Sequence, residues 1–229
     1  MASTQPTATL WDDAVAERVV AHVRAAAGGT EPSGPIVCAS GISPSGPIHL
    51  GNLREVFTTH LVAEALRRHG HEVVHLHSWD DYDRFRKVPA GVDPSFERYV
   101  GMPLALIPDP HGALPSYADR YMDQFRAELE ELGIRMTERR QSQLYPAGTY
   151  NASIRRAMDE RERVFDILAS QQTAGRHEGS VQERRRAYYP FKPYCTECHR
   201  DDTRVVAWDG TVASWECRHG HAGEMSLAD

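Results

Sequence analysis

Lysine is almost missing from this chain: of its 26 basic residues only Lys87 and Lys192 are lysines, and the rest are arginines. Cysteine is also scarce. Cys38 stands alone in an apolar run, and Cys195, Cys198 and Cys217 gather near the C-terminus, where they read as metal ligands more naturally than as disulfides. No apolar run approaches the roughly 18 residues of a membrane helix, so no membrane partner is expected. The opening "MASTQPTATLWDDAV" has neither a basic nor an apolar leader segment, which makes the cytoplasm the expected compartment. A net charge of −6 argues against a generally basic nucleic-acid surface, though it leaves room for a local patch. What is present is ordinary for a soluble globular protein: 41% hydrophobic and 25% charged residues over 229 positions, enough to bury a core.

The periodicity organises the first part. "WDDAVAERVVAHVRAAA", residues 11–27, is an amphipathic helix stopped by Gly28-Gly29. "GPIVCAS" reads as a buried strand. A helix follows in which Leu53, Val56, Phe57, Leu61, Val62, Ala65 and Leu66 share one face, with Gly70 at its stop. A second strand, Val73 to His77, runs into the carboxylates of "SWDDYDRFRK". Strand, glycine turn, helix and strand make a right-handed βαβ unit, the core of a nucleotide-binding doubly wound fold, whose ligands bind at the carboxyl ends of the strands. The histidines at 69, 71, 75 and 77 read as surface and strand positions, not as a metal cluster.

Both unusual stretches fall at that edge. In "GISPSGPIHLGN", Gly41 to Asn52, a helix starting near Gly51 would aim unpaired N–H groups and its positive dipole end at the turn, which suits a phosphate. Gly46 and Gly51 allow close backbone approach, Pro44 and Pro47 stiffen the path, and His49 can hydrogen-bond a phosphate oxygen. Neither a Walker loop nor a dinucleotide fingerprint is present. Asp80, Asp81 and Asp83 either hold a cationic or hydroxyl ligand or are neutralised within a loop by Arg84, Arg86 and Lys87.

Beyond about Gln141 the character changes. Residues 154–169 read as one helix, 171–186 as a polar mobile link, and Arg184–Arg186 as a basic cluster that is either solvated or paired at a helix end. The expected division is 1–150 for the nucleotide-binding part and 151–229 for a helical connector with a metal-binding insertion. Cys195-x2-Cys198 with a second ligand pair about twenty residues on has zinc-ribbon spacing. Between them "TRVVAWDGTVASWE" alternates around Asp-Gly, as a hairpin does. Cys217 is the third ligand and either His219 or His221 the fourth. A closed four-ligand site makes the role structural.

The strings "SGISPSGPIHLGN", "HSWDDYDRFRKVP", "GMPLALIPDPHG", "SYADRYMDQFRAELEELGI" and "YYPFKPYCTECHR" occur in this order. The first closely resembles the H-I-G-H signature of class I aminoacyl-tRNA synthetases, in the P-S-G-x-x-H-x-G-N form of the class I lysyl-tRNA synthetases, and the others are similar to further segments of that family. The resemblance implies a Rossmann-like α/β catalytic half with a zinc-ribbon-like insertion, and a function in activating L-lysine with ATP and Mg2+ and attaching it to tRNA(Lys). It implies that His49 and Asn52 are catalytic and that Pro44, Gly46, His49, Gly51 and Asn52 cradle ATP. Gly41 and Ser43, with Asp80, Asp81 or Asp83, would meet lysine, Ser43 keeping the hydroxyl of the family's Thr. His221 is favoured as the fourth ligand of Zn2+, with Cys195, Cys198 and Cys217. For Arg184–Arg186, contact with the acceptor end of a tRNA is the alternative to a solvated or paired cluster. One departure stands out: no K-M-S-K-S signature occurs among these residues. A truncated or split synthetase, completed by a second chain, is therefore expected, with a non-catalytic paralogue that binds nucleotide, lysine or a protein as the alternative. The isolated chain is expected to give no turnover.

Overall fold

A computed structural model of the chain describes residues 10–31, 33–171 and 179–228. They form an α/β fold of two compact units that interleave along the sequence: Met1–Asp81 with Ala118–Gln141, and Tyr82–Tyr117 with Ser142–Asp229.

The first unit holds a parallel three-stranded sheet in the order β1 (Ile36–Ile42), β2 (Val73–Trp79), β3 (Thr137–Arg140). Ile36 pairs with Val73 and Ile42 with Trp79, while Leu76 pairs with Thr137. Helix α1 (Trp11–Ala26) precedes the sheet, α2 (Leu50–Arg68) connects β1 to β2, and α3 (Tyr117–Glu131) leads to β3. This is the Rossmann-like βαβ arrangement that the hydrophobic periods predict, with both strands running a few residues further toward the ligand edge.

One apolar cluster joins these elements: Ala16 of α1, Ile36 and Cys38 of β1, and Val62, Ala63, Ala65 and Leu66 of α2. Four alanines and valines at the contact let helices and sheet approach closely, and each large side chain removed from water contributes about 1.5–3 kcal/mol. Phe57, expected on the buried face of α2, is 40% exposed, and Val56 is the fully buried residue there. Arg68 at the end of α2 donates to Asp12 and Asp13 at the start of α1, at 2.8 and 3.0 Å, so a helix C-terminus and a helix N-terminus share one charge pair.

His75 and His77 lie on β2 and His69 is exposed past the end of α2, the strand and surface positions expected, and the two strand histidines are buried because β2 is the central strand. The polar spelling "HLHSW" hides an inward face.

The second unit begins with two 3-10 turns, Pro94–Tyr99 and Leu104–Leu106, and continues with all but the first residue of short helix α4 (Gln141–Leu144), then α5 (Asn151–Asp159), α6 (Arg161–Gln171) and α7 (Val181–Ala187). The single helix read over 154–169 is two, broken at Glu160. Part of the polar link lies at 172–178, outside the described residues, and the rest carries α7, started by a capping box of Ser180 and Glu183. Arg185 of α7 pairs with Glu162 and Asp166 of α6, the paired reading of the arginine cluster. An antiparallel sheet of β4 (Thr203–Trp208), β5 (Val212–Cys217) and β6 (Ala222–Ser226) ends the unit. Asp209 and Gly210 turn β4 into β5, with the Asp209 carboxylate accepting from the N–H groups of Thr211 and Val212.

Candidate functional site

The turn after β1 delivers His49 to the N-cap of α2, in extended conformation. Its Nδ1 accepts from the Gly51 N–H at 3.1 Å, and the Asn52 Oδ1 accepts from the His49 N–H at 3.3 Å. This reciprocal cap satisfies two of the donors a helix start leaves unpaired. It also fixes the ring: with Nδ1 accepting, the hydrogen of the neutral imidazole sits on Nε2, free to be donated outward. Gly51 is needed for this fold-back, since a Cβ there would lie 2.9 Å from His49 Cε1. No acidic residue occupies the first turn of α2, so nothing offsets its positive end. Pro44 is buried, Gly46, Ser43 and Asn52 are half-buried, and His49 and Gly51 are exposed.

Gly41, near the end of β1, pairs in register with Ser78 of β2, and a Cβ on it would lie 3.9 Å from Asp80 Oδ2. Asp80 is half-buried: its N–H donates to the Ile42 carbonyl at 2.9 Å, and its carboxylate accepts from Ser78 Oγ at 3.0 Å. Gln141 in turn donates to that Ser78 hydroxyl at 2.7 Å. The three aspartates therefore separate. Asp80 stands beside Gly41 at the carboxyl edge of the sheet. Asp81 is fully buried and takes the Arg140 guanidinium at 2.8 Å, so its charge is neutralised inside the unit. Asp83 belongs to the second unit, where its carbonyl accepts from the Leu104 N–H. The expected local neutralisation does not occur through Arg84, which instead reaches Asp201 at 2.9 Å.

Several polar residues under the sheet edge escaped the sequence reading. Ser40 of β1 hydrogen-bonds His77 Nδ1 at 2.8 Å and His75 Nε2 at 3.3 Å. Burial pushes both histidines down to about 4, and His60 and Arg67 reinforce this at His75. At His77 the Glu138 carboxylate opposes the shift while His75 and Arg126 add to it. Trp79 packs edge-on against the His77 ring and donates to Glu138 at 2.6 Å, and Arg126 grips the same carboxylate. Alternate Ser and His on adjacent strands were the available signal.

In the second unit the structure brings together the ligand atoms of Cys195, Cys198, Cys217 and His221, all within 4.8 Å of one another. Cys198 and Cys217 Sγ are 3.7 Å apart, and Cys195 Sγ is 3.3 Å from His221 Nδ1. A tetrahedral ion with arms of about 2.3 Å to sulfur spaces its sulfurs about 3.8 Å apart, so the quartet fits such an ion. His219 is turned elsewhere, 3.1 Å from Asp202. Burial opposes ionisation of Cys195, yet the N–H groups of Cys198 and Glu197 bring it down to about 7, toward the thiolate a metal takes. Cys38, by contrast, is a buried strand residue whose thiol burial pushes up.

A family model described as "tRNA synthetases class I (K)" matches residues 9–229. The chain is 38% identical over 218 residues to a lysine--tRNA ligase of Pyrococcus horikoshii, covering 95% of this chain and 39% of that protein. It is 40% identical over 238 residues to a lysine--tRNA ligase of Streptomyces coelicolor (91% and 40%), and 37% over 220 residues to that of Treponema pallidum (95% and 39%). The chain thus spans about two fifths of the length of the curated relatives it matches.

Proposed function

Because this chain belongs to the family of class I (K) tRNA synthetases, we propose that its first unit binds ATP and L-lysine for lysyl-adenylate formation, as part of a protein that charges tRNA(Lys). The observation that carries the reading is the His49 cap: the imidazole offers Nε2–H at the positive end of a helix with no acid in its first turn, just past a strand's carboxyl end. In the reaction the lysine carboxylate attacks the α-phosphorus of ATP and pyrophosphate leaves with the bonding electrons. The negative charge that builds on the α-phosphate oxygens is met by His49 Nε2–H, already in place, and by the positive end of the α2 dipole. Asn52 holds the His49 backbone, Gly46 and Gly51 keep side chains out of the phosphate path, and Pro44 stiffens it. Mg2+ would accompany the ATP.

Asp80 is the carboxylate for the α-ammonium of lysine, beside the bare Gly41 backbone and the Ser43 hydroxyl, while the buried pair of Asp81 with Arg140 supports the edge from beneath. The Cys195, Cys198, Cys217 and His221 quartet would hold structural Zn2+, which joins two turns in a segment with a small core. The cytoplasm is the compartment that suits a tRNA substrate and free thiols.

The test is calorimetric titration of the zinc-loaded chain with a non-hydrolysable lysyl-adenylate analogue. Binding is expected, with affinity at least about tenfold weaker in His49→Ala, the loss of one charge-assisted donor. No binding, or equal binding by parent and variant, sinks the reading. Lysine-dependent ATP–pyrophosphate exchange by these residues alone is expected to be silent, since they hold no Lys-x-Ser-Lys segment.

A further inference from the structure

The metal quartet is tied to the segment that follows Asp80-Asp81, through contacts that lie wholly in the second unit. Tyr194, one residue before Cys195, donates its hydroxyl to the Tyr82 carbonyl at 2.8 Å. The turn from Cys195 to Arg200 is closed by Cys195 N–H to the Arg200 carbonyl and His199 N–H to the Cys195 carbonyl, both at 2.9 Å. His199 takes a left-handed φ of 57° to do so, a conformation uncommon for a residue with a Cβ. The far end of this turn grips residues 98–101: the Arg200 guanidinium donates to the Arg98 and Val100 carbonyls, and Asp201 N–H donates to the Gly101 carbonyl. Gly101, at φ 94°, faces Arg200 so closely that an added Cβ would lie 3.4 Å from the arginine Cβ. Gly101 then donates to the Phe85 carbonyl at 2.8 Å, and Phe85 donates to the Met102 carbonyl at 2.7 Å. The Asp201 carboxylate closes the circuit by taking Arg84 at 2.9 Å and Lys192 at 3.3 Å.

We propose that Tyr194 and Asp201 are positioning residues through which the metal-bound Cys195–Arg200 turn sets the conformation of Tyr82–Phe85, so that metal loading governs the order of the segment carrying Asp83. Three cysteine sulfurs and an imidazole within 4.8 Å make the ligand set of one tetrahedral cation, and four bonds to that ion would add to the two backbone hydrogen bonds that shape the turn placing Arg200 and Asp201. One of the chain's two lysines, Lys192, is spent on Asp201, which marks this carboxylate as a hub with two cationic partners. The coupling rests on the metal part of the reading above and not on what the segment binds.

Hydrogen exchange of the whole chain, read by mass spectrometry, tests it. The parent with its zinc, the parent stripped by a high-affinity chelator, Asp201→Asn and Arg84→Gln are compared. Cobalt substitution reports whether each variant still holds four ligands in the same geometry. With cobalt spectra unchanged, both variants are expected to exchange the Phe85 and Gly101 amides about tenfold faster, with no change in β4–β6. Asp201→Glu should restore most of the protection, because it keeps the carboxylate, and stripping should match or exceed the effect of the variants. The proposal is overturned if Phe85 and Gly101 keep parent protection in the cobalt-competent variants, or if stripping loosens only residues 193–226. Should the adenylate analogue fail to bind while exchange at Phe85 follows the metal, the functional reading fails and the coupling stands.

Discussion

His49 is a poor helix cap by propensity, since Ser, Thr, Asp or Asn would satisfy the same N–H with a shorter side chain. The helix accepts the imidazole because Gly51 leaves the space and Asn52 returns a hydrogen bond, and in exchange the turn gains an outward Nε2–H. Local rules broken at one residue, with neighbours arranged to tolerate it, mark a functional position. Gly51→Ala separates the two roles. The new Cβ would lie 2.9 Å from His49 Cε1 and 3.0 Å from Nδ1, so the ring must swing away. Losing the cap costs about 1 kcal/mol, but Ala in place of Gly in a helix returns up to about 1 kcal/mol. The urea midpoint should therefore move little, while affinity for the adenylate analogue falls as far as in His49→Ala. An unchanged affinity would mean that the ring's position does not matter.

At the scale of elements, β3 is a strand held by charge. Its four residues, Thr-Glu-Arg-Arg, offer no apolar face, yet it pairs in parallel with β2 because Glu138 is held by Trp79 and Arg126, and Arg140 by Asp81 and Asp119. Arg140→Met would take the guanidinium from the fully buried Asp81 carboxylate, and breaking such a pair costs about 3–5 kcal/mol. Adding Asp81→Asn removes that buried charge, so the double variant should be more stable than Arg140→Met alone. Urea unfolding of the three proteins checks this, and additive losses would refute it. The same strand shows where sequence reading stops. Apolar period made β1, α2 and β2 legible, and ligand spacing around an Asp-Gly turn pointed to the hairpin and the cysteine quartet. A polar four-residue strand carries no period, and no local pattern announces that Asp81 will meet a residue 59 positions on or that Arg84 will leave its neighbouring acids for Asp201. Those partners are chosen by the fold, as is the interleaving of the two units.

At the scale of the whole molecule, the buried histidines make stability a function of pH. His75 and His77 titrate near 4 in the folded chain because burial disfavours their charged form, against about 6.5 when unfolded. The groups around them do not reverse this: His60 and Arg67 act on His75 in the same direction, and at His77 the Glu138 carboxylate opposes only part of it. Between these values the unfolded chain binds more protons, so stability rises with pH across that window. It is fully present above about pH 6.5 and is lost as pH falls toward 4, by roughly 3 kcal/mol for each ring. Glu138, which Arg126 and Trp79 hold below its usual range against the opposing effect of burial, adds a loss of the same sign, but only at the foot of the window, where an unfolded glutamate takes up its proton near 4.5. Urea midpoints should therefore stay level from pH 7.5 to about 6.5 and fall from there to 4.5, and His77→Leu should flatten that slope by about half. A parent midpoint level down to pH 5 would mean that these rings are charged in the fold, and the network of Ser40, His75 and His77 would then have to be redrawn with both imidazoles as double donors.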